Sequence, residues 1–263
     1  MLRARLVTAA VAIPALLALI FFAPAWGWGF VVAAVAVLGL IEYLGMAFPR
    51  SGDRVVGLVL GVAVIVAAVS APAPGRLISA ALSLLIAGGL IYVVLLRTDF
   101  ERGLADVGLL AIGVLYTGLL LPHFYWLRHL PNGPQWVTFV IAIGMAGDSG
   151  GYFVGHAFGR HKLIPRLSPG KTVEGALGIT FFSVLAGALG KLILLPDRQW
   201  GEILVLAIVM AVIGQLGDLG ESAMKRTFGA KESGWIFPGH GGVLDRIDSL
   251  LFPVTLVYYY VAR

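Results

Sequence analysis

Apolar runs near twenty residues recur along the chain, at roughly 6–23, 27–47, 55–71, 77–96, 104–127, 136–158, 175–195, 203–224 and 249–262, with short polar stretches between them. An apolar helix of that length crosses the hydrocarbon core of a bilayer, which is about 30 Å thick. The pattern therefore predicts an all-α polytopic membrane protein of about nine transmembrane helices. The longest polar stretch, 225–248, leaves no room for a soluble domain.

Composition agrees with that reading. Hydrophobic residues make up 59% of the 263 residues and charged ones only 13%, where a soluble domain has about a quarter charged. Mean hydropathy is +0.93. The net charge of +5 raises nucleic acid as a partner, but its distribution argues against it. With the N-terminus in the cytoplasm, fourteen Lys/Arg fall on the cytoplasmic side and five on the other. That is the positive-inside pattern of a plasma (inner) membrane protein, and the basic loops face anionic lipid. Both larger polar loops, 159–174 and 225–248, then lie on the cytoplasmic side, where nucleotides are. The chain has no Cys, which excludes disulfides, thiolate metal sites and Cys nucleophiles. Residues 1–27 mimic a signal peptide, with Arg3, Arg5 and a nominal Ala23-Pro24-Ala25 cleavage site. The apolar run is long for that role, and we expect an uncleaved first helix.

The chain divides into 1–130, a lipid-facing helical scaffold, and 131–263, which carries a site on the cytoplasmic side. The first part is chemically quiet. Glu42 and Asp106 read as paired or snorkelling carboxylates near an interface, and Gly57 with Gly61 as a helix-packing pair. No internal repeat is visible, so the inverted repeat of many transporters is missing.

The second part changes character. Gly147, Gly151, Gly155 and Gly159 recur every four residues and predict a flat ridge for a close helix neighbour. Asp148 lies within the sixth span, in its cytoplasmic half. In the eighth span Asp218, Glu221, Ser222 and Lys225 are spaced i, i+3, i+4, i+7 and share one helical face. Asp245 and Asp248 sit at the mouth of the ninth. Carboxylates from three segments are thus expected to converge near one interface. Intramembrane carboxylates are costly and usually functional.

Residues 218–248 pack five carboxylates, four Lys/Arg, one His and six Gly into 31 positions. Carboxylates are hard ligands for Mg²⁺, and Lys and Arg bind phosphate. Pro238-Gly239-His240-Gly241-Gly242 reads as a turn whose backbone N–H groups approach phosphate oxygens. His240 is a candidate phosphate donor or acid/base. Ser168-Pro169-Gly170-Lys171-Thr172 resembles the end of a P-loop, but Pro165 stands where the first glycine belongs and no strand is expected before it. The P-loop is rejected, and Lys171 reads as a phosphate or headgroup ligand. Arg160, Lys162 and Arg166 read as topology and lipid contact.

Ser222, Lys225-Arg226, Lys231-Glu232, Pro238 to Gly242, Asp245-Arg246 and Asp248 form one spaced run that resembles the signature of the phosphatidate cytidylyltransferase (CDP-diacylglycerol synthase) family. The stretches Asp148–Gly155 and Ser168–Gly175 resemble that family's second characteristic region. Two positions depart from the pattern. Glu232 stands where the family usually has Asp, and Gly220 where it usually has Thr.

The resemblance implies a membrane enzyme of phospholipid biosynthesis that joins CTP to phosphatidic acid, giving CDP-diacylglycerol and pyrophosphate with Mg²⁺, taken as two ions. Phosphate monoesters have a second pKa of roughly 6, so the attacking oxygen is already largely ionised and no Ser, Cys or His nucleophile is required. By similarity, Asp218 and Asp245 are the favoured metal ligands, followed by Asp248 and Asp148. Lys225, Arg226, Lys231, Arg246 and Lys171 are implied phosphate ligands, with Ser222, Gly241 and Gly242 at the nucleotide and His240 taken as catalytic. Glu232 is expected to steady a metal indirectly. The lipid is expected to enter sideways from the inner leaflet, and a homodimer fits the family. Two other classes fit the residues less well. A transporter has no evident use for the charged loop, and a CDP-alcohol phosphatidyltransferase motif begins Asp-Gly, a dipeptide this chain lacks.

Overall fold

The structure, a computed structural model, describes residues 2–71, 73–234 and 241–263, with 2–10 and 96 described by backbone alone. Among these residues every expected span has a helix: α1 (Leu2–Phe22), α2 (Ala25–Ala47), α3 (Ser51–Ser70), α4 (Gly75–Leu96), α5 (Phe100–Gly118), α6 (His123–Arg128), α7 (Gly133–Phe158), α8 (Val173–Ile193), α9 (Trp200–Thr227) and α10 (Leu244–Val261). Proline, which lacks an N–H and clashes with a preceding helical turn, marks several joints: Pro24 before α2, Pro49 before α3 and Pro122 before α6. Among the described residues, 7 helical segments are by length and composition able to cross a membrane, Phe100–Arg128 counting as one, and Val11–Phe22 is a shorter apolar one. Large apolar side chains such as Phe22, Trp26 and Ile193 point outward, as a lipid-facing surface requires.

Three local differences from expectation have plain causes. The fifth span, expected unbroken over 104–127, is two helices, because Pro122 cannot continue the ladder and opens α6 instead. The ninth begins at Leu244 rather than 249, so Asp245 and Asp248 belong to the helix itself. The polar loop 159–174 contains an antiparallel hairpin, β1 (Lys162–Ile164) and β2 (Ser168–Thr172), with Lys162 opposite Thr172 and Ile164 opposite Ser168. A strand therefore does precede the Ser-Pro-Gly-Lys-Thr segment. The segment is itself extended, not a phosphate-cradling loop.

The glycine ridge of α7 meets α8, as its four-residue spacing predicted. A Cβ at Gly147 would lie 2.5 Å from Ser183 Oγ, and one at Gly151 would strike Ile179 Cγ1. Only hydrogen at those positions lets the two backbones approach so closely. Thr172 starts α8 by accepting the Gly175 N–H at 3.1 Å, so β2 runs directly into the helix packed on α7. Gly57 and Gly61 of α3 likewise seat Leu44 and Leu40 of α2.

Three charges of the N-terminal half satisfy one another. Arg97 at the end of α4 bonds Asp53 at 2.9 Å and pairs with Asp106, and Tyr92 donates to Asp53 at 2.6 Å. This cluster joins α3, α4 and α5 at one end. Buried indoles do similar work at the other: Trp28 donates to the Phe124 carbonyl at 3.1 Å and Trp126 to that of Ala68 at 3.1 Å.

Candidate active site

A cavity of about 580 Å³ opens between α7, the hairpin, α8, α9 and the start of α10. Its charged lining is Asp148 from α7, Lys171 from β2, Asp218 and Lys225 from α9, and Asp245 and Asp248 from α10. The predicted convergence of carboxylates from three segments is therefore present. Asp148, Asp218 and Asp248 lie within electrostatic reach of one another, with the buried Glu221 beside them.

Each carboxylate has a different setting. Asp218 accepts from Lys171 Nζ at 2.6 Å, which ties the hairpin to α9. Asp148 accepts the Ser249 hydroxyl at 3.0 Å, linking α7 to α10. Asp248 is buried, and its Oδ1 accepts the Ser249 N–H at 2.7 Å. Asp245 is the most fully engaged. Its Oδ1 takes Lys225 Nζ at 2.5 Å, while Oδ2 accepts the Ser233 N–H at 2.9 Å, the Ser233 hydroxyl at 2.8 Å and the Gly242 N–H at 2.8 Å. Lys225 also pairs with Glu221, which is 1% exposed and one helical turn away. A buried carboxylate is tolerated in such a place because it is paired.

The other sequence candidates fall around this centre. Arg226 is exposed and donates to the carbonyls of Leu167 at 3.3 Å and Ala230 at 3.1 Å, clamping the hairpin and the end of α9. Arg246 lines a second cavity together with Asp148, Ser149 and Asp245. Ser222 and Lys231 do not line the first cavity, and Lys231 and Glu232 are exposed. Gly241 has φ 77°, the left-handed conformation expected of that turn, and the Gly242 N–H is given to Asp245. His240 and Pro238-Gly239 lie outside the described residues.

Several residues of the site escaped the sequence reading. Gln215 lines the cavity three positions before Asp218, a spacing that does put it on the same face. Ser249 follows Asp248 and was legible only as a neighbour. Glu42 read only as a paired or snorkelling carboxylate, and Ser233 and Tyr116 carried no local signal. The Tyr116 hydroxyl is buried with no hydrogen-bond partner among the described residues.

The second cavity, about 470 Å³, lies between α1, α2, α7 and α10. Its walls are apolar, with Leu16, Trp28, Val32, Phe124, Ile141 and Leu250 among them, and its polar end is Asp148, Ser149, Asp245 and Arg246. The two cavities thus share Asp148 and Asp245.

Four aspartates against two lysines make the first cavity a poor place for a bare polyanion and a good one for a cation. Among the described residues, no three His, Asp or Glu side chains meet about one point in a way that could hold a metal. Mg²⁺ does not need such a cage. It usually takes one or two carboxylates and completes its shell with water and substrate phosphates. The donor set fits an ion of that kind.

The family model described as the cytidylyltransferase family matches residues 3–263. A phosphatidate cytidylyltransferase of Bacillus subtilis (strain 168) is 37% identical over 174 residues, 66% of this chain and 64% of that protein. One of Brucella suis biovar 1 (strain 1330) is 40% identical over 170 residues, 64% of this chain and 62% of the relative. One of Staphylococcus epidermidis (strain ATCC 35984) is 38% identical over 166 residues, 63% and 62% respectively. The matched stretch therefore spans somewhat less than two thirds of these curated relatives.

Proposed function

The chain belongs to the cytidylyltransferase family, and from that premise we propose that it condenses CTP with phosphatidic acid to CDP-diacylglycerol and pyrophosphate. A phosphate oxygen of the lipid bonds to the α-phosphorus of CTP. The bond from that phosphorus to the bridging oxygen breaks, and its electron pair leaves with pyrophosphate. The observation that carries the reading is the meeting of two unlike cavities at Asp148 and Asp245. One is polar and ringed by carboxylates and lysines, suited to a nucleotide triphosphate with its cations. The other is an apolar groove that ends on Arg246, suited to acyl chains with a phosphate head.

Divalent cations are implied by the carboxylates, and Asp148, Asp218 and Asp248 are the groups that would hold them. When bound, such cations neutralise phosphate charge and stabilise the leaving pyrophosphate. This chain's own residues do the rest. Lys171 and Lys225, now held by carboxylates, present ammonium groups to phosphate oxygens. Asp245 orients Lys225, and Arg246 faces the lipid phosphate at the end of the groove. The fourteen-to-five Lys/Arg split supports a cytoplasmic site.

The test is direct. Purified protein given phosphatidic acid, CTP labelled in the cytidine and Mg²⁺ should yield a labelled lipid and an equal amount of pyrophosphate. Absence of both products overturns the reading.

A further inference from the structure

Glu42 sits in α2, far along the chain from the charged lining of the first cavity, and it is 7% exposed. A carboxylate buried this deeply is costly unless donors surround it. Its donors come from about 200 positions away. Oε1 accepts the Val243 N–H at 2.9 Å, and Oε2 accepts the Leu244 N–H at 3.0 Å and the Ser233 hydroxyl at 3.1 Å. Val243 and Leu244 begin α10, where backbone N–H groups have no partner within the helix. Glu42 therefore caps α10 from another helix, and its negative charge lies at the positive end of the helix dipole.

The same hydroxyl of Ser233 lies 2.8 Å from Asp245 Oδ2. Its single proton is shared between the two carboxylates, so Glu42 and Asp245 are held against one another through it. Asp245 in turn takes the Ser233 and Gly242 N–H groups and Lys225 Nζ. The surrounding chain is shaped to this carboxylate. A Cβ at Gly234 would come within 2.7 Å of Glu42 Cδ, and one at Gly242 would strike both Glu42 oxygens. Gly234 and Gly242 thus both lie directly against Glu42.

We propose that Glu42 is a positioning residue for cytidylyl transfer: it sets Ser233 and the first turn of α10, and through them the Asp245–Lys225 pair that faces the phosphates. The inference rests on the activity proposed above. A scaffold role alone predicts loss of folded protein in proportion to loss of rate. Positioning predicts a lower rate in protein that is folded and binds CTP normally.

The experiment is steady-state kinetics of CDP-diacylglycerol formation by the wild type, Glu42→Gln, Glu42→Asp and Ser233→Ala, each normalised to folded, monodisperse protein. Gln keeps the size of Glu but turns an NH₂ toward backbone donors. Glu42→Gln should lower kcat about 100-fold, the effect of a misplacement near 1 Å, with KM for CTP little changed. Glu42→Asp keeps both acceptors and should recover part of the rate. Ser233→Ala cuts only the bridge and should cost about tenfold, the worth of one hydrogen bond to a charged group. An unchanged kcat in Glu42→Gln, or in Ser233→Ala should Glu42→Gln not fold, overturns the positioning role. A wild type that makes no lipid product overturns instead the activity on which the inference rests.

Discussion

Lys171 Nζ lies 2.6 Å from Asp218 Oδ2, an ion pair that ties the hairpin to α9 across the mouth of the first cavity. Both side chains are about a quarter exposed, so the pair contributes only about 0–1 kcal/mol to stability. Its geometry serves the site more than the fold. On the function proposed above, this ammonium group moves from the carboxylate onto a phosphate when a nucleotide binds.

Lys171→Ala should therefore leave the unfolding temperature nearly unchanged while lowering kcat/KM for CTP. A hydrogen bond to a charged group is worth about 1.5–3 kcal/mol, or roughly 10–100-fold. Thermal unfolding in detergent and CTP kinetics check the two halves separately. Normal kcat/KM would return Lys171 to a lysine of topology alone.

Asp218→Asn and Asp248→Asn should each abolish turnover in folded protein, because an amide is a poor partner for a hard cation. Asp245→Asn should also be inactive, but for another reason, and it should be less stable as well. Its carboxylate serves three donors on Oδ2 and Lys225 on Oδ1; an amide accepts on one side only, so its NH₂ must face donors on the other, at a cost of about 1–3 kcal/mol. A Mg²⁺ titration of product formation, run beside thermal unfolding, separates the cases. Near-normal activity of Asp218→Asn at low Mg²⁺ would remove it from the ligand set.

Gly178→Val tests the α7–α8 contact. A Cβ there would lie 2.7 Å from Val154 Cβ and 3.1 Å from the Gly150 carbonyl. Overpacking of that kind costs about 1–3 kcal/mol, visible as a lower unfolding temperature. Gly220→Thr, which restores the usual family residue, has open space around it and should be silent in the same measurement.

Orientation is testable because the chain has no native Cys. Arg166→Cys, on the exposed turn of the hairpin, should react with a membrane-impermeant thiol reagent only from the cytoplasmic side. Gln199→Cys, exposed before α9, should react only from the other. The reverse result would invert the topology and place the cavity away from CTP.

Glu232 was expected to steady a metal. It is exposed and outside the cavity lining. Glu232→Asp and Glu232→Gln should then give Mg²⁺ titrations that superimpose on the wild type, since exposed charges of this kind contribute about 0–1 kcal/mol. A shifted midpoint in either variant would restore the indirect role.

Much of this protein was legible along the chain. Hydropathy alone located the spans, because a helix crossing a bilayer must satisfy its own backbone and clothe it in apolar side chains. The four-residue glycine spacing foretold a close helix neighbour, and the i, i+3, i+4, i+7 face of α9 foretold a shared direction for Asp218 and Lys225. These are local patterns, set by a helical period that needs no knowledge of the fold.

Pairings between helices were another matter. No pattern along the chain says that Lys171 rests on Asp218, that Asp148 meets Ser249, or that Glu42 caps α10 across some two hundred positions. Glu42 read as an interfacial carboxylate because its immediate neighbours are apolar. Its role depends on which helix packs beside α2, and that depends on the shapes of many side chains at once. The chemical inventory of the site was thus written in the sequence, while tertiary packing decided which groups hold one another and which are free to meet a substrate.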